Sequence, residues 1–384
     1  MTEDDALRRL EAENPRVKAM LSGVQVTRAE AQGMRLLPNP AVSYNREHSA
    51  NTQDNFLLFQ QSVPLNGRIG LLRRAGDAAV RAAEADSASG VWLLASELRA
   101  VFYLLLLAQE RESAWVEAVA ELQEIARILG EREREGEGSK FDRLRAEREL
   151  ADAQADLANA KAQRGQMQAR LASFFVSSTD PFSLKVKGEF AVAGELPPVD
   201  ELTKRALANR GDYRSEALRA ERFDFERRAA QRQRFPDPII TAGLKRTTLP
   251  GASDNGSAFY VTVPLPLFNR GQADAARAKA AAERSQALHR SLEQQIGAEV
   301  QGAYAALRIR RESAEQYGRE LGEKGVELAG ISRIAYEQGE QRILELLDAY
   351  KVALSSRLRA FDLQAETKIA EIELDRAVGE EVLP

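Results

Sequence analysis

Ser62-Val63-Pro64-Leu65-Asn66-Gly67-Arg68 is answered about 200 residues later by Pro264-Leu265-Pro266-Leu267-Phe268-Asn269-Arg270-Gly271. Each stretch closes a short run opened by a doubled proline, Pro38-Asn39-Pro40 in the first copy and Pro236-Asp237-Pro238 in the second. Each then leads into a very long, charged, alanine-rich stretch broken at a glycine, Gly136 and later Gly339. Past the glycines the register holds, with Phe141, Asp142 and Leu144 falling where Leu344, Glu345 and Leu347 fall. A period this long marks a duplicated structural half, since solenoid units repeat every ~20–50 residues.

By length, 384 residues suit two or three compact domains. Composition argues otherwise: charged residues make up 29% and aromatics 6%, the profile of long helices and coiled coils. The net charge of −4 mixes both signs, so no basic face for nucleic acid emerges. Cysteine is absent, which excludes disulfides and thiolate metal sites. His48 and His289, the two histidines, lie too far apart in sequence to suggest a metal motif and read as incidental. No phosphate-binding glycine loop or nucleophile–base arrangement is present, so no cofactor, metal site or enzymatic activity is expected. The most apolar segment, Val101 to Ala108, is too short to cross a bilayer as a helix. The opening Met1-Thr2-Glu3-Asp4-Asp5 is acidic where a targeting peptide is basic and then apolar.

Helical patterning runs from Thr2 to about Leu36 and stops at the prolines, which disfavour helix in the residue before them. Ala41 to Glu47 and Phe56 to Val63 read as strands around a polar turn, His48 to Asn55. A helix from Arg68 to about Glu135 follows, roughly 100 Å at 1.5 Å per residue. Its Ala118, Leu122, Ile125 and Leu129 have coiled-coil spacing. Gly136, Gly138 and Ser139 make the reversal, Ser139 capping a return helix with a Leu150–Phe174 heptad. The proline- and glycine-bearing segment 177–200 joins the halves. Helix is expected again over Glu201–Arg234, strands over Ile239–Arg246 and Ser257–Val263, and a helix over Gln272–Gln338 with Val300, Leu307 and Leu328 at heptad positions. A last helix runs from Gly339 to about Val378. The expected domains are a first repeat, 1–176, with its hairpin at 41–64; a linker, 177–200; and a second repeat, 201–384, with its hairpin at 239–265. The fold class is mainly α with a small β part, a duplicated helix, β-hairpin, long helix, long helix.

A two-stranded hairpin is marginal alone in water, and a barrel removes exposed strand edges. Four strands per chain are too few for a membrane barrel, so several copies must share one. The residue reading thus ends at a homo-oligomeric tube with a membrane barrel and a helical barrel. Two alternatives stand beside it: a periplasmic adaptor, which usually carries one helical hairpin between β-rich domains, and a soluble coiled-coil scaffold.

On these residues, with Asn14-Pro15 and the Tyr336-Glu337-Gln338-Gly339 and Leu346-Leu347-Asp348-Ala349 stretches, the chain resembles the TolC-like outer membrane efflux proteins over nearly its full length. The Gln61–Arg68 wording is most similar to the branch serving heavy-metal cation exporters. The resemblance implies a homotrimer with a shared twelve-stranded outer-membrane β-barrel and a periplasmic α-barrel. It implies outer-membrane lipid around the β-barrel, a periplasmic adaptor docked at the tip residues Gly136, Gly138, Ser139 and Gly339, and an inner-membrane resistance-nodulation-division pump supplying energy. It also implies an aperture ringed by Glu345 and Asp348 and locked by Tyr336 bonding to Asp142. The family's basic lock residue is replaced by Gln341, with Arg342 beside it. Without the resemblance, Glu345 and Asp348 read as solvated positions on a charged helix. Family members carry a leader and often a lipidated cysteine, so the expectation is a leader trimmed from this chain or lost to a misplaced start codon.

Overall fold

The computed structural model describes residues 1–176, 180–192, 194–321 and 324–383. Part of the expected linker (177–179 and 193) and the point at which the expected Gln272–Gln338 helix crosses 322–323 lie outside the described residues. In chain order the elements are α1 (Glu3–Glu13), α2 (Pro15–Gly33), β1 (Ala41–Ser49), β2 (Thr52–Ser62), α3 (Arg68–Arg134), α4 (Lys140–Ala172) and α5 (Val199–Asn209). They continue as α6 (Gly211–Gln231), β3 (Ile239–Leu249), β4 (Ala252–Thr262), α7 (Gln272–Leu321), α8 (Lys324–Glu337) and α9 (Ile343–Val378).

Two expected helices are each split in two. The opening one breaks at Asn14, whose ψ of 124° is the extended conformation that Pro15 imposes on its neighbour. Asn14 repays the break by donating its side-chain amide to the Phe174 carbonyl at 2.8 Å and accepting from the Arg16 N–H at 2.7 Å. The helix expected over Glu201–Arg234 breaks at Arg210, and Gly211 opens α6 so close to the Ala85 carbonyl of α3 that a Cβ there has no room.

The chain forms two compact units, each drawing on both halves of the sequence. One comprises Met1–Ala19, Gly90–Arg210 and Gln295–Pro384; the other comprises Met20–Ser89 and Gly211–Gln294. In the first, Ala6 and Leu10 of α1, Leu98, Phe102 and Leu105 of α3, and Leu171 and Ile372 form the main core. This explains the apolar stretch of α3: it has the length and composition to span a membrane, contrary to the reading of Val101–Ala108 as too short, but over half of it is buried within the protein. An ionic network pins α1 to this core. Arg99 is buried, donating to Glu3 at 2.5 Å and to Asp375 at 2.9 Å, while the Tyr103 hydroxyl donates to Glu3 at 2.5 Å. Burial and Glu3 push the Tyr103 hydroxyl well above the usual phenol range.

The second unit holds one antiparallel sheet of order β1-β2-β3-β4. The two hairpins are joined by β2 and β3, with Phe59 opposite Ala242 and Leu57 opposite Leu244. Strand alternation sorts the side chains. Val42, Tyr44, Leu57, Phe59, Leu244 and Phe259 share one face, and each is at least half exposed. On the other face Asp54 accepts from Thr247 at 2.6 Å and pairs with Lys245 at 2.9 Å, while Phe56, Leu58 and Ala258 form a small cluster. Among the described residues, β1 and β4 each pair on one side only.

Candidate aperture and tip site

Two helix reversals in the first unit are built to one plan. Gly136 and Gly339 have φ of 80° and 77°, the left-handed region that glycine enters without a Cβ penalty. Around Gly136 the Glu137 N–H reaches the Arg132 carbonyl at 2.9 Å and the Gly136 N–H the Glu133 carbonyl at 3.1 Å. Around Gly339 the Glu340 N–H reaches Ala335 at 2.9 Å and the Gly339 N–H reaches Tyr336 at 3.0 Å. Both are Schellman turns, which satisfy the carbonyls a helix end leaves open. The copies differ in how the next helix begins. Ser139 caps α4 by accepting from the Phe141 N–H at 3.1 Å, whereas α9 is capped by Glu345, which accepts from the Arg342 N–H at 3.0 Å. Gly138 has a steric role, because a Cβ there would lie 2.9 Å from the Glu133 nitrogen.

Leu129, Ala146, Ile343, Leu346 and Leu347 make a core beneath the turns, with Tyr336 and Tyr350 packed against it. Burying Ile343, Leu346 and Leu347 fixes the rotation of α9. Leu344, Glu345 and Asp348 are therefore exposed on the remaining face. Phe141 and Leu144 are also exposed, at 63% and 49%. Glu133 at the end of α3 pairs with Arg143 of α4, which also holds Glu147 at 2.7 Å.

The ten residues singled out by sequence therefore cluster around these two reversals. Asp142 lies half-buried in the first turn of α4. The Tyr336 ring faces the Arg132 guanidinium, 5.7 Å from its centroid. Among the described residues no hydrogen bond joins Tyr336 to Asp142. Gln341 is half-buried with its side-chain oxygen shielded and unbonded, and Arg342 is exposed.

Sequence reading missed a cleft of about 630 Å³ between α3, α4, α8 and α9, lined by Trp115, Glu121, Asp152 and Tyr350 among others. Two bridges cross beside it. Buried Glu149 holds Arg145 at 3.0 Å and Lys351 at 2.6 Å, and Glu117 pairs with Arg357. The bond from Arg357 holds the Glu117 carboxyl below the usual range, while burial and the neighbouring Glu117 push Glu121 up. Burial, then Glu121, raises the Tyr350 hydroxyl. Glu149 and Lys351, and Glu117 and Arg357, lie some 200 residues or more apart, so spacing could not reveal them; the heptad seams were the available signal.

Residues 202–380 match the family described as outer membrane efflux protein. The cobalt-zinc-cadmium resistance protein CzcC of Cupriavidus metallidurans is 23% identical over 387 residues, covering 99% of this chain and 90% of the relative. The CusC structure, described in terms of folding and transmembrane channel formation, aligns with a TM-score of 0.77 at 19% identity, covering 98% of this chain and 92% of that one. The CmeC outer membrane channel of Campylobacter jejuni aligns with a TM-score of 0.79 at 16% identity, over 99% and 86%.

Proposed function

We propose, for a chain that is by homology a TolC-like outer membrane efflux protein, that three copies assemble into a passive exit duct. The observation that carries this reading is the sheet: four strands with an exposed apolar face, whose outer strands β1 and β4 each pair on one side only among the described residues. A sheet of that kind is an aggregation hazard in water and a wall segment in a membrane barrel, where apolar side chains face lipid and polar ones the lumen. Four strands from each of three copies close a twelve-stranded barrel in the outer membrane, with the long helices forming a barrel in the periplasm.

The two reversals form the aperture. Three copies bring Glu345 and Asp348 around one axis, where rings of carboxylates favour cations and repel anions. Exposed Phe141, Leu144 and Leu344 around the glycine turns present the surface for a periplasmic adaptor, and an inner-membrane pump of the resistance-nodulation-division type drives transport. CzcC is named for cobalt, zinc and cadmium resistance. The cargo proposed here is accordingly heavy-metal cations, which the carboxylate rings suit. Asp142 and Tyr336 belong to the helices beside the two reversals, with Gln341, whose side-chain oxygen is shielded and unbonded, in the second of them.

Single-channel conductance in planar bilayers tests this reading, comparing wild type with Glu345→Ala and Asp348→Ala. Cation preference falls in both variants if these carboxylates line the constriction. Unchanged selectivity removes them from it.

A further inference from the structure

Each chain crosses between sheet and helix four times, and all four crossings are ordered alike. From α2 into β1 the order is Arg35, then Leu36 and Leu37; from β2 into α3 it is Leu65, then Arg68. From α6 into β3 it is Arg232 and Arg234, then Phe235; from β4 into α7 it is Leu267 and Phe268, then Arg270. In every case the large apolar residue is on the strand side and the arginine on the helix side.

The apolar members are open to solvent: Leu37 is 62% exposed, Leu65 73%, Phe235 45% and Phe268 91%. Along the chain they extend the strands toward the helices. The arginines are largely unspent. Arg35 pairs with Asp77, but Arg68, Arg234 and Arg270 have no carboxylate partner among the described residues. Arg234 lies over the Phe235 ring, 4.8 Å from its centroid, and Arg270 donates weakly to the Leu267 carbonyl at 3.4 Å. The Arg68 side-chain Nε is shielded from water with no bonding partner. Across the four crossings there are five arginines and one carboxylate, Asp237.

An apolar band that ends at a line of unpaired guanidinium groups has the polarity of a lipid leaflet, acyl chains first and phosphates next. Arginine suits that boundary: its stem lies along apolar surface while its head grips phosphate with two parallel N–H donors. We infer that Arg68, Arg234 and Arg270 form a collar that binds the headgroup phosphates of anionic phospholipid, fixing the depth of the sheet in the membrane. The inference rests on the duct reading, in which this face meets lipid, and adds to it a lipid class and the residues that select it.

The test is native mass spectrometry of the full chain released from non-ionic detergent, with phosphatidylglycerol and phosphatidylcholine offered together. Each basic residue near an anionic surface contributes roughly fivefold, so wild type should retain phosphatidylglycerol over phosphatidylcholine by about tenfold or more. The Arg68→Gln, Arg234→Gln, Arg270→Gln triple variant should bring the ratio near one, while the matching lysine variant should keep most of the preference. A triple glutamine variant that keeps the wild-type ratio overturns the collar. So does stripping of phosphatidylglycerol by millimolar inorganic phosphate, which would reveal an ordinary anion site. A triple variant that falls to monomers assigns the arginines to contacts between copies and also overturns it. A wild-type chain that neither trimerises nor enters bilayers defeats the duct reading, and the collar with it.

Discussion

At the scale of single residues, the tip is held by groups with more than one task. Glu345 caps α9 through the Arg342 N–H and is also one of the carboxylates proposed for the aperture. Gly138 is confined by the Glu133 and Arg132 backbone, which cannot yield as a flexible side chain could. Gly138→Ala is therefore expected to destabilise the first unit by about 1–3 kcal/mol, the usual cost of overpacking, read as a lower melting temperature and earlier proteolysis at the reversal. Wild-type melting would show that the turn opens without cost. Glu299 gives a pH-dependent test. Burial pushes its carboxyl up, but bonds from Arg210 and Gln295 outweigh this and leave it below the usual range. With a lowered native value the unfolded chain binds more protons as the medium acidifies, so this contribution is present above about pH 4.3 and lost below it. Urea melts of wild type and Glu299→Gln should differ at pH 7 and converge as pH falls through the lowered native value. A gap that persists to strong acid contradicts the assignment. The glycines were legible because a left-handed turn leaves few alternatives. Arg99–Asp375 and Arg210–Glu299 were not, since their partners are brought together only by tertiary packing.

At the scale of elements, helix and strand types could be read from periodicity, and both hairpins begin where the doubled prolines put them, but the strands run longer than expected. β2 starts at Thr52 and β4 at Ala252, so the expected His48–Asn55 turn shrinks to Ala50 and Asn51 because Thr52–Asn55 pair across the hairpin. The helix breaks at Asn14 and Arg210 were less visible. Pro15 can also open a helix, and the reason for Gly211 lies in the approach of the Ala85 carbonyl from another element. The heptad of α7 holds at Val300 and Leu307, both buried, but Leu328 in α8 is 44% exposed. Pairing of β2 with β3 was likewise hidden, because nothing local specifies which hairpin meets which. Gly243 makes that pairing possible: the Leu57 carbonyl occupies the space its Cβ would need. Gly243→Val should separate β2 from β3 at a cost of about 1–3 kcal/mol, enough to lower insertion-competent protein roughly tenfold. Counting channel insertions per unit protein in planar bilayers checks it, and an undiminished count would mean the sheet forms by another register.

At the scale of the whole molecule, duplication accounts for the design. Each half of the sequence supplies one hairpin and one helix reversal, and the compact units gather like with like: both hairpins in one, both reversals in the other. Composition pointed to long helices, and four strands, too few for a barrel, pointed to other copies; among the described residues β1 and β4 each pair on one side only. The cleft beside Trp115 and Tyr350 was beyond such reasoning, being a product of several helices at once. The central claim is that open edges on one chain are closed by its copies. The direct measurement is an electron-microscopic reconstruction of the full chain extracted in mild detergent. The account predicts a threefold particle in which β4 of each copy pairs with β1 of the next in a continuous ring. A single-copy particle with β1 and β4 covered by its own chain would contradict it.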